Sequence, residues 1–461
     1  MVRDDIERRP VLHEIPAVML RWHQPWRLGL VVGAFVVAAG CGTASRAVVD
    51  DDGGNGTPSG TPDGPEAGAF ETRDAHVEAG QLAAVAHLQG KVVAPNGTLP
   101  IGGALVYVTD REPAPIPDKA YCDTCITLSP FDGYGYSKPD GTFDIPAYRT
   151  GSQYLVVQKG QFRRVRRVEV VSGDQRVDPS ASRLPSKNAP VSGDTIPKIA
   201  IANGGFDKVD STLSNLGLEE FYVYGYDFIA RPPGIDVKKG ADALFGSAEE
   251  MGKYHIVLLP CATFSFSDDN GATTCGSPSA RTQAALRTYV DGGGKLYVTD
   301  YSYEAVRQTW PGMITWYDRN MRALPNDASG LGTACRSGDE DTPGIVDDPA
   351  LKTWLSALGD SAITLQASFT RMQKVSPRPG VDPKGNPVTI TPKVWMSSQI
   401  AGQTIPATVS FEQRCGRVLM SSYHCEGGSG ATLLPQEKAL FYTLLEVGVC
   451  VGDLPPPPPP R

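Results

Sequence analysis

The chain has 461 residues, 43 basic against 51 acidic side chains and a formal net charge of −8. That balance lacks the basic footprint of a nucleic-acid binder, so no nucleic-acid partner is expected. The length has room for two or three folded units, and 50 glycines with 39 prolines imply long loops or linkers.

Near the amino terminus, Arg21 and Arg27 precede the apolar run Leu28–Ala39. This is a charged segment followed by an apolar one too short to span a bilayer as a helix. The run closes on Ala38-Ala39-Gly40-Cys41. It resembles a bacterial lipobox, with Ala38 where that family usually has leucine. The resemblance implies a lipoprotein signal over residues 1–41, cleavage before Cys41 and a diacylglyceryl group on its thiol. One acyl chain, at about 0.8 kcal/mol per buried methylene, holds only weakly, whereas the three chains of such a lipoprotein anchor it stably. Residues 1–18 are unlike a signal, so translation is expected to start at Met19. Gly42 after the lipid-bearing cysteine leans towards the outer membrane.

Residues 42–80 read as a disordered tether. Asp50, Asp51 and Asp52 lie in a stretch with almost no large apolar residues, which cannot offset its own ordering entropy. The three aspartates are solvated on this reading, with no ligand spacing for calcium. As a flexible coil of about 40 residues the tether would span roughly 35 Å.

The first folded region begins at His87–Val93 and continues through Pro100–Val108, Pro139–Pro146 and Gly151–Val157. Period-two alternation with turn residues between the runs predicts an antiparallel β-sandwich over 85–180. The runs Gly90-Lys91-Val92, Pro100–Val108, Asp140–Ile145 and Tyr154–Val157 resemble a carboxypeptidase regulatory-like domain. The resemblance implies a transthyretin-like accessory module without catalysis. Residues 110–136 form an insertion carrying Cys122 and Cys125, read as a structural disulfide in preference to metal or redox work. Arg163, Arg164, Arg166 and Arg167 read as a solvated or ion-paired strand edge, the alternative being a surface for an anionic polymer or phospholipid.

The second folded region covers 195–450, with a boundary near Asp194. Lys198–Ala202 is a first strand, and Asp207 or Asp210 is expected to cap the helix after it. His255–Pro260 is a short apolar run of the kind a two-sided parallel sheet buries. Thr282–Val290 has helical spacing, stops at Gly292-Gly293-Gly294 and leads into the strand Lys295–Thr299. Later strands are expected at 393–396, 407–411 and 416–422 and a last helix at 436–447, with residues 312–390 an insertion over the sheet. In such a βαβ arrangement chemistry sits at the carboxyl ends of the strands, here the turn Asp300-Tyr301-Ser302.

The stretches Tyr254–Pro260, Ala285–Ser302 and Gly416–Glu426 resemble the class I glutamine amidotransferase-like fold, a flavodoxin-like sheet. The resemblance implies a nucleophile elbow at the second stretch and a histidine and glutamate at the third. His424 and Glu426 match. Asp300 falls at or next to the nucleophile position, and the flanking glycines are missing. Cys261 follows an earlier strand, and Ser302 would need a base to act on its hydroxyl. The candidate cleft is therefore Asp300, Ser302, His424 and Glu426, with no catalytic residue assigned. Tyr301, Tyr303, Trp310 and Trp316 suit sugar or peptide recognition beside a carboxylate, or else core packing.

With Cys41 lipidated, eight cysteines remain for an oxidising compartment: Cys122, Cys125, Cys261, Cys275, Cys335, Cys415, Cys425 and Cys450. Nearness in sequence favours Cys122–Cys125 and Cys261–Cys275 pairs. Pro455–Pro460, within the tail 451–461, is a polyproline II rod. The fold class expected is thus all-β plus α/β, a small antiparallel sandwich followed by a flavodoxin-like, amidotransferase-like domain. The function expected is a non-catalytic binding or scaffolding role in the bacterial cell envelope, without cofactor or metal. Its partners would be membrane lipid through Cys41 and an envelope protein or polysaccharide. The second reading is an envelope hydrolase or amidase using the His424 cleft.

Overall fold

Alternating and continuous apolar runs produce two kinds of sheet in the computed structural model. It describes residues 83–202, 206–225, 236–261, 278–318, 320–327, 330–332, 334, 341–427, 432–445 and 451. Cys41, the tether, Cys275, Cys335, Cys450 and the polyproline run lie outside the described residues. Among those described, no helix is long and apolar enough to cross a membrane.

The amino-terminal region holds a three-stranded and a five-stranded sheet. The first orders Thr142–Ala147, Ala86–Lys91 and Gly173–Arg176; the second orders Gly133–Tyr136, Leu105–Thr109, Gly151–Lys159, Phe162–Val170 and Asp194–Thr195. Ala86 and Leu88 are buried while His87 is exposed, the period-two pattern of a half-buried strand. Leu105–Thr109 departs from it, being buried throughout. Val106 and Val108 face the main core, whereas Leu105 and Tyr107 pack with Leu128 and Val156 under the 110–136 segment. The insertion thus covers the outer face of its own sheet. The arginine run is not a free edge: Arg163 and Arg164 pair with the short strand Asp194–Thr195, and both side chains are buried. Arg164 makes two 2.9 Å hydrogen bonds to the Asp194 carboxylate, which Arg166 also contacts at 2.8 Å.

The second region is built on a ten-stranded sheet. Its strands in chain order are β1 (Ile199–Ala202), β2 (Tyr222–Gly225), β3 (Asp236–Lys239), β4 (Ile256–Leu259), β5 (Lys295–Thr299), β6 (Thr342–Val346), β7 (Ile363–Leu365), β8 (Lys393–Ile400), β9 (Gln403–Gln413) and β10 (Gly416–Ser421). Their order across the sheet is β3-β2-β1-β4-β5-β10-β9-β8-β6-β7. From β3 to β10 every pairing is parallel; beyond β10 every pairing is antiparallel. The segment 312–390 is therefore not only an insertion, because β6 and β7 extend the sheet from within it.

The parallel strands are apolar without alternation because both faces are covered. Ile199, Ile201, Ile256 and Leu258 belong to one buried cluster, while Ala200, Ala202, Val257 and Leu259 belong to the other. The helix α1 (Val209–Asn215) packs Val209 and Leu213 on the first face. On the second, α2 (Ala280–Asp291) packs Ala285, Leu286, Tyr289 and Val290. Burying a leucine or valine so completely contributes roughly 1.5–3 kcal/mol each. The first cluster also takes in Leu88, Val106 and Val157 from the amino-terminal sheets, so one buried cluster runs through both regions. The sheet grows one way from β1 to β3 and then the other way from β4, which makes the gap between β1 and β4 the switch point where ligands bind in such folds.

Candidate functional site

The turns after β1, β4, β5 and β10 meet at the carboxyl edge of the sheet. β5 ends at Thr299, and Asp300 follows with φ +40°, a left-handed backbone that a non-glycine residue adopts at roughly 1–2 kcal/mol. A single 3-10 turn, Asp300–Tyr303, then leads into the helix Glu304–Thr309. The strained turn carries a fully buried carboxylate. Asp300 Oδ1 accepts the Thr370 N–H at 2.7 Å, and Oδ2 lies 2.9 Å from His424 Nε2. Cys261 Sγ donates to the same Oδ2 at 3.8 Å.

A second buried carboxylate braces these turns from behind. Asp207 accepts the Thr299 hydroxyl at 2.5 Å and the Cys425 N–H at 2.9 Å, while the Cys261 N–H donates to Thr299 Oγ1 at 2.8 Å. Asp207 does not cap α1: the cap position is Lys208, which makes no side-chain cap bond, while Asp210 in the first turn accepts the Ser211 N–H at 2.9 Å. The expected capping role gives way to one that ties the ends of β1, β5 and β10 together.

Burial sets the acid–base character of the cluster. It pushes Asp207 up to about 6, against the opposing pull of His424, Thr299 and the Cys425 N–H. It also raises Asp300, although His424 and Thr370 pull the other way. Burial draws the His424 ring down, but the hydrogen bond and charge of Asp300, with Asp207 and Glu426, carry it above its ordinary value. The Cys261 thiol is pushed well up by burial and then by the Asp300 charge, with the Tyr301 N–H working in the opposite direction.

Of the four candidate residues, the structure brings three together. His424 Nδ1 lies 3.6 Å from Glu426 Oε1, opposite the Asp300 contact. Ser302 is not a member: its hydroxyl donates to the Pro260 carbonyl at 2.6 Å and holds the turn to the end of β4. Tyr301 meets Phe369 in a tilted contact at 5.4 Å, and Phe369 lies 5.4 Å from the His424 ring. Tyr303, Trp310 and Trp316 are buried in the core, with Tyr303 and Trp316 in contact at 5.0 Å.

The cysteine pairings favoured by nearness do not form. Cys122 is bonded to Cys415, 293 residues away. Cys125 is in a disulfide whose partner lies outside the described residues. Cys261 and Cys425 are free and buried. Cys261 and Asp207 are the members that sequence reasoning passed over. The signal was a cysteine closing the apolar run of β4, at the same sheet edge as Asp300. The sulfur of Cys261, a carboxylate oxygen of Asp300 and a ring nitrogen of His424 all lie within 4.8 Å of one another. These are three donors of metal-ligand type at a place where no metal was expected.

No protein-family model and no curated protein matches the chain. Among solved structures, a GH42 β-galactosidase from G. stearothermophilus is similar at 13% identity, covering 56% of this chain and 30% of its own, with a TM-score of 0.27. A putative ThuA-like protein from Bacteroides uniformis is similar at 12% identity over 54% of this chain and 91% of its own, with a TM-score of 0.30. A cytoplasmic protein from Salmonella typhimurium has 11% identity over 54% and 98%, also at 0.30. The chain thus matches less than a third of the galactosidase, and likenesses of this size carry no functional argument.

Proposed function

We propose that the chain is a membrane-anchored envelope lipoprotein that binds or scaffolds and does not catalyse. On this reading the amino-terminal sheets are a transthyretin-like sandwich of the carboxypeptidase regulatory-like kind. The ten-stranded sheet is an amidotransferase-like region whose nucleophile position holds Asp300. The observation that carries the reading is the state of that residue: fully buried, and hydrogen-bonded to the Thr370 N–H and His424. A carboxylate so engaged has no free face for attack, and His424, 3% exposed, is engaged with it. The charged segment and apolar run ending at Cys41 support the anchor, and the partners would be membrane lipid and an envelope protein or polysaccharide.

One observation favours the hydrolase reading, namely that the Cys261 thiol sits beside Asp300 and near His424. Its raised pKa keeps it protonated at neutral pH, the opposite of an activated nucleophile. Two measurements test the proposal. Metabolic labelling with an alkyne fatty acid should tag the wild-type chain and not Cys41→Ala, and equal labelling of both would overturn the anchor. Incubation of the full chain with a panel of amide and ester substrates should give no turnover above buffer; turnover lost in His424→Gln would overturn the non-catalytic reading.

A further inference from the structure

We propose that Cys261, Asp300 and His424 form a site for one divalent transition-metal ion of the zinc type, bound through Cys261 Sγ, Asp300 Oδ2 and His424 Nε2. This gives the binding role a chemical class and rests on that reading for its biological meaning. The donor set is one thiolate, one imidazole and one carboxylate. Such a set suits a borderline ion in four-coordinate geometry and leaves a fourth position for water or a ligand.

The distances fit. Nε2 and Oδ2 are 2.9 Å apart, Sγ and Oδ2 are 3.8 Å apart, and all three lie within 4.8 Å. An ion about 2.0–2.3 Å from each donor needs donors roughly 3.3–3.8 Å apart. The farthest pair, within 4.8 Å, must close by about 1–1.5 Å, which small rotations of two side chains supply. The three donors follow three adjacent strands of one sheet, β4, β5 and β10, so the backbone holds them in place.

The surrounding hydrogen bonds leave the ligating atoms facing inward. Thr370 N–H occupies Asp300 Oδ1 and leaves Oδ2 towards the ion. The Tyr301 N–H points at the Cys261 sulfur, an acceptor contact that a bound ion would leave in place. His424 Nδ1 faces the Glu426 carboxylate at 3.6 Å, just outside hydrogen-bond reach, and a small approach would give the carboxylate contact that orients an imidazole ligating through Nε2. Glu426 is also the member nearest solvent, with 30% of its side chain exposed. Binding forms the sulfur–metal, oxygen–metal and nitrogen–metal bonds. It displaces to solvent the thiol proton of Cys261 and any proton that His424 Nε2 shares with Asp300. No electron is transferred, and a thiol held against a buried carboxylate becomes a thiolate and a carboxylate sharing one cation.

The test is cobalt(II) titration of the chelator-stripped full chain, followed by zinc(II) displacement. The account predicts one equivalent bound, a thiolate-to-cobalt charge-transfer absorption and its loss on adding zinc. Affinity should rise with pH as the protons leave more readily. Cys261→Ser should abolish the band, and Glu426→Gln should weaken binding about tenfold or more at unchanged stoichiometry. Glu426 is partly exposed, so its variant keeps the test open if Cys261→Ser does not fold. No thiolate band in the wild type, or a band and affinity the same in both variants, would overturn the site. Failure here leaves the non-catalytic reading standing, whereas amide or ester turnover by the metal-loaded chain would sink that reading and keep the site.

Discussion

The two ends of β5 bury polar side chains for different purposes. At the amino end Lys295, buried, meets Asp123 at 2.9 Å, and the adjoining Cys122 is bonded to Cys415. His255 accepts the Lys198 N–H through Nδ1 and donates through Nε2 to the Pro117 carbonyl at 2.8 Å. Gly293, at φ +102°, lets the chain at Tyr121 pass so close that a Cβ there would stand 2.0 Å from its carbonyl oxygen. Each of these groups fastens the 110–136 insertion to the sheet. At the carboxyl end, Asp207 ties strands together in the same way, but Asp300, His424 and Cys261 converge on one another. Buried polarity that holds segments together is structural; buried polarity that gathers three donor types at the carboxyl ends of three adjacent strands is a site.

The largest expected effect comes from leaving one carboxyl-end charge without its partner. His424→Leu should cost about 3–5 kcal/mol in urea denaturation, because Asp300 stays buried and unpaired. A loss under about 1 kcal/mol would mean that the pair does not hold the turn. At the other end, Cys122→Ser opens a disulfide spanning 293 residues and should cost about 2–5 kcal/mol. Cys125→Ser, if Cys122–Cys125 were the true pair, would give the same loss and the same mass shift on reduction, and peptide mapping of the unreduced chain separates the two.

Next is a pH effect at Asp207. Its folded value of about 6 lies above the ordinary 3.8, so the native state keeps a proton that the unfolded chain releases first. Stability from this group is present below about pH 4 and is lost as pH rises through about 6. The loss is about 2–3 kcal/mol. Asp207→Asn should flatten that part of the wild-type stability curve between pH 4 and 6.5, and an unchanged slope would contradict the assignment. The smallest effect is Ser302→Ala, which removes one hydrogen bond to Pro260 at about 1 kcal/mol. It should leave cobalt binding at the cluster unaltered, since Ser302 stands outside it.

Local patterns made the elements legible. The helical spacing of Thr282–Val290 and its glycine stop correspond to α2, and the apolar runs correspond to β1, β4, β5 and β10. His424 and Asp300 were legible as neighbours only through the amidotransferase-like resemblance, which implies that both serve one cleft. Three things were not legible, each for a reason of distance or covering. Cys122 pairs with a cysteine 293 residues on, which nearness cannot reveal. β6 and β7 sit in a stretch rich in Gly, Pro and Asp, and only the pairing of β6 with β8, from beyond it, joins them to the sheet. Cys261 read as the end of a core run, and only the parallel pairing of β4 with β5 brings its sulfur to Asp300.

The most direct measurement is zinc K-edge X-ray absorption on the full chain after zinc loading. The account predicts an inner shell with one sulfur at about 2.3 Å and nitrogen or oxygen at about 2.0–2.2 Å, the sulfur lost in Cys261→Ser. A shell of nitrogen and oxygen alone, or a sulfur that persists in that variant, would contradict it.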